Sequence, residues 1–137
     1  MGSGLLVRCG SCEYERLFHL GTGFQYSPDP PEAFYECVAA EALEGHEGRE
    51  TVRRLLTEAG GRVAAHGLSI YRCTACNGLH ERLYLNIRHT GGAHVVSYRC
   101  PACGRRMRRT AVKRIGQCPC PSCGGLSLVS RNELLWD

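Results

Sequence analysis

Four Cys-x-x-Cys pairs constrain this chain more than any other feature: Cys9/Cys12, Cys73/Cys76, Cys100/Cys103 and Cys120/Cys123 take up eight of its ten cysteines. Two thiolates so spaced sit on one tight turn and point at one ion, and two such turns complete a tetrahedron. The clearest stretch is Cys100-Pro-Ala-Cys103-Gly104 and Cys120-Pro-Ser-Cys123-Gly124, with sixteen residues between Cys103 and Cys120. The glycine after each pair fits, because a residue leaving such a turn often needs positive φ. Asn77 takes the same position after Cys76, and asparagine is a common substitute there. Glu13 after Cys12 departs from the pattern.

A chain of 137 residues makes one ordinary domain, or two small ones held by something other than core burial. The N-terminal stretch Met-Gly-Ser-Gly-Leu-Leu-Val-Arg has no long apolar run of the kind a secretory signal carries. No stretch approaches the roughly 18 apolar residues of a membrane span. Paired thiols in such a chain predict metal sites in a reducing cytoplasm rather than a disulfide framework. Charge is uneven: residues 1–87 carry 8 Lys/Arg and 11 Asp/Glu, whereas residues 88–137 carry 9 and 2. Each filled four-thiolate site adds −2, so attraction to polyanions is expected to be local to the C-terminal half.

In chain order, Cys9-Gly-Ser-Cys12 leads into a strand ending near Leu20, and Gly21-Thr22-Gly23-Phe24 opens a loop. Ser27-Pro28-Asp29-Pro30-Pro31 signals a helix start, with Asp29 or Ser27 as cap. A helix over 32–43 is predicted to bury Phe34, Cys37, Val38 and Ala42, with unpaired Cys37 as a small core side chain. A second helix, 49–59, carries the stripe Val52, Leu55, Leu56 and Ala59. Strands follow at Leu68–Arg72 and Leu79–Arg88, the latter with Leu83, Leu85 and Ile87 on one face. Thr90-Gly91-Gly92 reads as a boundary between parts 1–90 and 91–137, and Leu134-Leu135-Trp136 as an apolar tail folding back.

Two pairings of the knuckles compete. In the sequential one, Cys9, Cys12, Cys73 and Cys76 hold one ion and Cys100, Cys103, Cys120 and Cys123 the other. In the second, the inner pairs meet across 23 residues and the outermost pairs meet each other. The sequential pairing is favoured, because its second site has the better spacing and the Gly91-Gly92 break then falls between sites. Cys118 offers a third thiol beside Cys120 and Cys123 and reads as a bystander; His80, four residues past Cys76, is unnecessary beside a full cysteine set.

The knuckles Cys100-Pro-Ala-Cys103-Gly104 and Cys120-Pro-Ser-Cys123-Gly124 resemble those of zinc ribbons and rubredoxin-like folds. With Cys9-x-x-Cys12, Phe18-His-Leu-Gly21-x-Gly23 and the intervening helices, the chain is similar to bacterial tandem zinc-ribbon proteins. The resemblance implies two Zn²⁺ ions on the eight named cysteines, with iron as the other metal such a site takes, and it brings no activity with it. The expected fold is a small, metal-stabilised α+β protein of two zinc ribbons, the first split by a two-helix insertion.

A four-cysteine site leaves no open position to activate water, and no Ser-His-Asp set, phosphate-binding glycine loop or His-Glu-x-x-His helix occurs. No enzyme is expected. Arg105, Arg106, Arg108, Arg109, Lys113 and Arg114 would form a dense phosphate-contacting surface on one hairpin, which predicts nucleic-acid binding led by the backbone. The alternatives are a protein-binding adaptor or accessory subunit, through the acidic run at Glu41, Glu44, Glu47 and Glu50 or an acidic partner surface, and an iron electron carrier.

Overall fold

The computed structural model describes residues 2–22 and 27–136, with the side chains of residues 134–136 left out. It is dominated by antiparallel strands: β1 (Gly2–Cys9), β2 (Glu15–Gly21), β3 (Arg62–Arg72), β4 (Leu79–His89), β5 (Gly92–Val95), β6 (Arg108–Thr110) and β7 (Leu128–Trp136). The helical pieces are α1 (Pro31–Phe34), a π-helical turn (Tyr35–Ala39), α2 (Ala40–Ala42), α3 (Arg49–Thr57) and a 3-10 helix (Val112–Gln117). Among the described residues no helix is long and apolar enough to cross a membrane.

The chain forms two compact units, and neither is a continuous half of the sequence. The first comprises residues 1–21, 68–82 and 97–136, the second residues 22–67 and 83–96 together with residue 137. Thr90-Gly91-Gly92 does not divide them as expected. It turns the β4–β5 hairpin, in which His89 faces Gly92, inside the second unit.

In the first unit the hydrogen-bonded order is β4-β3-β2-β1-β7, and β6 also pairs with β3. β1 is central, with Arg8↔Glu15 on one side and Cys9↔Leu128 on the other. Its alternation sends Leu5, Val7 and Cys9 inward, where they join Phe18, Ile70, Leu79, Ile115, Cys118, Cys120 and Leu128 in one buried cluster. Three cysteines are thus core side chains. Each large aliphatic among these residues contributes about 1.5–3 kcal/mol by burial. Leu134-Leu135-Trp136, expected to fold back, instead continue β7, with Leu135 opposite Ser3 and Trp136 opposite Gly2.

The second unit buries Phe34, Ala39, Leu43, Val52, Leu55 and Leu56 from its helices and Leu83, Leu85 and Ile87 from β4. The first helical stretch corrects the expected face. Ala40 N–H bonds to Tyr35 C=O, five residues back, so the π turn inserts one residue into the helical repeat. The buried positions become Phe34, Ala39 and Leu43, while Cys37 and Ala42 are exposed and Val38 is only half-buried. Ala59 lies beyond the end of α3 and is exposed. Neither Asp29 nor Ser27 caps α1: Pro30 is the N-cap without a side-chain bond, Pro31 starts the helix, and the Ser27 hydroxyl exchanges hydrogen bonds with Asp29 backbone.

Candidate metal centres

All four knuckles close in the same way. The N–H of the first cysteine donates to the carbonyl five residues on: Cys9 to Tyr14 at 3.0 Å, Cys73 to Gly78 at 2.9 Å, Cys100 to Arg105 and Cys120 to Gly125 at 2.8 Å. In the last three the residue after the second cysteine also donates back to the first, as Asn77, Gly104 and Gly124, at 2.8–2.9 Å. That second bond demands left-handed backbone, and φ is 64°, 72° and 74° at these positions. Glu13 is not among the positive-φ residues, so the first knuckle keeps the outer bond alone. One residue further on, a Cβ at Gly78 or Gly125 would stand 3.4 Å from the sulfur of Cys76 or Cys123, in van der Waals contact with it.

The eight knuckle cysteines gather into two sets of four: Cys9, Cys12, Cys120 and Cys123 in one, and Cys73, Cys76, Cys100 and Cys103 in the other. Both sets fall within the first unit. Within each, the ligand atoms lie within 4.8 Å of one another. Cys9 and Cys123 sulfurs are 3.7 Å apart, Cys12 and Cys120 3.6 Å, and Cys76 and Cys100 3.7 Å. A tetrahedron with metal–sulfur bonds of about 2.3 Å has edges of about 3.8 Å. A disulfide would bring two sulfurs to about 2.05 Å. The spacing therefore fits four thiolates around one ion and not paired cystines.

The sequential pairing is overturned, and strand pairing is the reason. β1 ends at Cys9 and β7 begins just after the Cys120 knuckle; their register sets Cys9 opposite Leu128, and Gly10 N–H bonds to Ser127 C=O at 2.9 Å. The outermost knuckles must then meet. β3 ends at Arg72, before Cys73, and pairs with β6, which follows the Cys103 knuckle, so Arg72 faces Arg108. The β4–β5 hairpin fills the 23 residues between the inner knuckles. Loop spacing was a weak guide, since 16 against 23 residues changes closure entropy by only about 0.3 kcal/mol.

Backbone N–H groups prepare the sulfurs for negative charge. Ser11 N–H reaches Cys9 Sγ at 3.3 Å, Tyr14 N–H reaches Cys12 Sγ at 3.4 Å, and Ser122 N–H reaches Cys120 Sγ at 3.3 Å. With no metal bound, the N–H groups of Cys76 and Ala75 lower Cys73 to about 6, the first being the larger effect. Burial works against Cys120, yet the Cys123 and Ser122 N–H groups still bring it down to about 7. Their neighbours move the other way. Cys103 rises to about 12, chiefly through its bond to Cys76; Cys12 rises to about 11 despite the Tyr14 N–H, through burial and its sulfur neighbours. Each set thus holds one thiol readied as thiolate and one that keeps its proton until a cation arrives.

The remaining cysteines stand apart. Cys118 is buried, donates to Arg114 C=O at 3.3 Å and belongs to neither set. His80 also lies outside both sets, with burial lowering its basicity.

The six basic residues expected on one hairpin are all exposed but share no hairpin. Arg105 and Arg106 belong to the knuckle turn and its bridge to Arg99, Arg108 and Arg109 to β6, and Lys113 and Arg114 to the 3-10 helix. A cleft of about 380 Å³ gathers Arg108, Arg109 and Arg114 with Arg72, which the sequence reading missed because it lies far away in the chain. No Asp or Glu occurs between Glu81 and Glu133.

Compared with known proteins, the chain matches no family model, no curated protein and no solved structure. The likeness to zinc ribbons therefore rests on the two four-cysteine clusters themselves.

Proposed function

We propose that this chain is a non-enzymatic zinc-binding module that holds nucleic-acid backbone through the basic residues of its 105–114 stretch. Residues 1–21, 68–82 and 97–136, which contain both cysteine sets, carry twelve Lys/Arg against four Asp/Glu, a formal +8. Two filled sites reduce this to about +4, still a strong field for a unit of this size. The other unit carries five against nine, a formal −4. The threefold excess of basic over acidic residues on the unit that holds both cysteine sets is the observation that carries the reading.

Zinc supports it as scaffold. Four thiolates saturate the ion, so the metal supplies folding energy and leaves no position for substrate. The basic side chains then act as phosphate contacts, which position the nucleic acid without reading its sequence. Six phosphate contacts would give a log–log salt slope of about −5.4 on duplex DNA and about −4.2 on single strands. The test is binding of the zinc-loaded protein to labelled DNA and RNA at two salt concentrations. Affinity should fall steeply with salt, and reversing Arg106 and Arg108 to Glu should abolish it. Salt-insensitive binding, or variants that bind like the parent, would remove the proposal.

A second reading, an adaptor between proteins, draws on the exposed acidic run Glu41, Glu44, Glu47 and Glu50 of the other unit. A partner captured by that surface would be lost on charge reversal there and indifferent to Arg106 and Arg108. Iron and electron transfer are addressed by elemental analysis and the visible spectrum. An iron-loaded protein with a charge-transfer band would replace zinc in this account.

A further inference from the structure

Resting on the nucleic-acid reading, we infer that the cleft between β3, β6 and the 3-10 helix is a seat for a terminal phosphomonoester, the phosphorylated end of a nucleic-acid strand. Arg72, Arg108 and Arg114 supply its guanidinium groups, with Arg109, Thr110 and Gln117 beside them. No carboxylate is among the lining residues. The arginines come from three separate elements, so the fold assembles them rather than a charge run in the sequence.

The register sharpens the point. Arg72 stands directly across from Arg108 in the β3–β6 ladder. Like charges directly opposite one another in an antiparallel pair are destabilising, and nothing acidic lines the cleft to offset them. An anion between the two strands removes that repulsion. Arg109, opposite Tyr71, projects from the other face of this ladder, where its Nε donates to Ser69 Oγ at 3.2 Å. Planar guanidinium forks match phosphate oxygens two at a time.

The charge decides which phosphate. A phosphodiester brings one negative charge against the guanidinium groups of Arg72, Arg108 and Arg114, whereas a phosphomonoester brings about −1.5 to −2 and three acceptor oxygens. The site is also concave, which suits an end better than a continuous backbone running past. Arg105, Arg106 and Lys113, outside the cleft lining, remain for the phosphates that follow, and this favours a polynucleotide end over a phosphorylated peptide.

The experiment compares one short single strand bearing a 5′-phosphate, a 3′-phosphate or neither, against the metal-loaded full chain at about 50 and about 200 mM salt. One phosphorylated end should bind about tenfold more tightly than the bare strand, and inorganic phosphate should compete away that advantage alone. The advantage should shrink as pH falls below about 6, where the monoester loses its second charge. Arg72→Gln should abolish the end preference with metal content unchanged, and Arg72→Lys should restore only part of it. Equal affinity for all three strands, with the salt slope intact, overturns the cleft assignment and leaves backbone binding standing. Loss of binding to every strand overturns both. Tighter binding of a phosphopeptide than of the phosphorylated strand overturns the nucleic-acid assignment of the cleft.

Discussion

At the scale of single residues, the two cysteine sets are organised by which sulfur receives N–H groups. Cys73, held down to about 6 by the Cys76 and Ala75 N–H groups, is largely thiolate at neutral pH, whereas Cys103, raised to about 12, is protonated. A metal ion entering this set therefore displaces fewer than the four protons that four isolated thiols would release. Proton release per ion, measured by calorimetry in buffers of different ionisation heat, should come out below four at pH near 7.5. The sign follows from the direction of the shifts. Cys73 and Cys120 are depressed, so the favourable thiolate is present at higher pH and is lost as pH falls through about 6 and about 7. Metal affinity should decline as pH falls even above that window, because Cys103 and Cys12 already hold protons the ion must displace, and more steeply within and below it, where Cys120 and Cys73 are protonated too. A flat affinity from pH 8 to about 5 would contradict this picture. The residues that make it possible were partly legible: Gly104 and Gly124 announced left-handed backbone, and Asn77 was read correctly as their substitute.

At the scale of elements, the eight ligands were legible and their partition was not. Cys-x-x-Cys spacing reports a local turn, but which turns meet is decided by β1 pairing with β7 and β3 with β6, contacts made across long stretches of chain. Nothing in a strand of alternating residues names its distant partner. The helical stretch failed for a different reason: a π turn at Tyr35–Ala39 shifts the buried face by one residue, and a reading at 3.6 residues per turn placed Val38 and Ala42 inward where Ala39 and Leu43 belong. By contrast, Leu83, Leu85 and Ile87 alternate in β4 as read, since a period of two survives any partner. The partition can be tested by counting ions. Cys12→Ser with Cys123→Ser damages one set and should leave one bound ion per chain; Cys12→Ser with Cys76→Ser damages both and should leave none held tightly. If the second double variant kept an ion and the first lost both, the sequential pairing would be reinstated.

At the scale of the whole molecule, both cysteine sets lie in one unit, and three of the cysteines, Cys9, Cys118 and Cys120, are part of that unit's buried cluster. The candidate metal ligands and the core are therefore one structure there. Losing an ion leaves buried sulfurs without a counter-charge and loosens the knuckles that anchor the ends of β1, β3 and β7. Structural zinc is worth about 10–16 kcal/mol in small peptides, comparable with the roughly 5–15 kcal/mol net stability of a whole domain. Among the described residues the second unit contributes nothing to either cysteine set, and it buries its own apolar side chains, including Phe34, Leu43, Val52 and Leu56. Chelation should accordingly act unevenly. Hydrogen exchange after metal removal should speed most at the knuckle amides of Cys9, Cys73, Cys100 and Cys120, whose bonds to Tyr14, Gly78, Arg105 and Gly125 close the turns. Exchange at Val52 N–H, bonded to Gly48 C=O at the start of α3, should change least. Protection falling equally in both places would mean that the metals stabilise a single cooperative fold, and the separation of a metal-built basic unit from a conventionally packed acidic one would have to be abandoned.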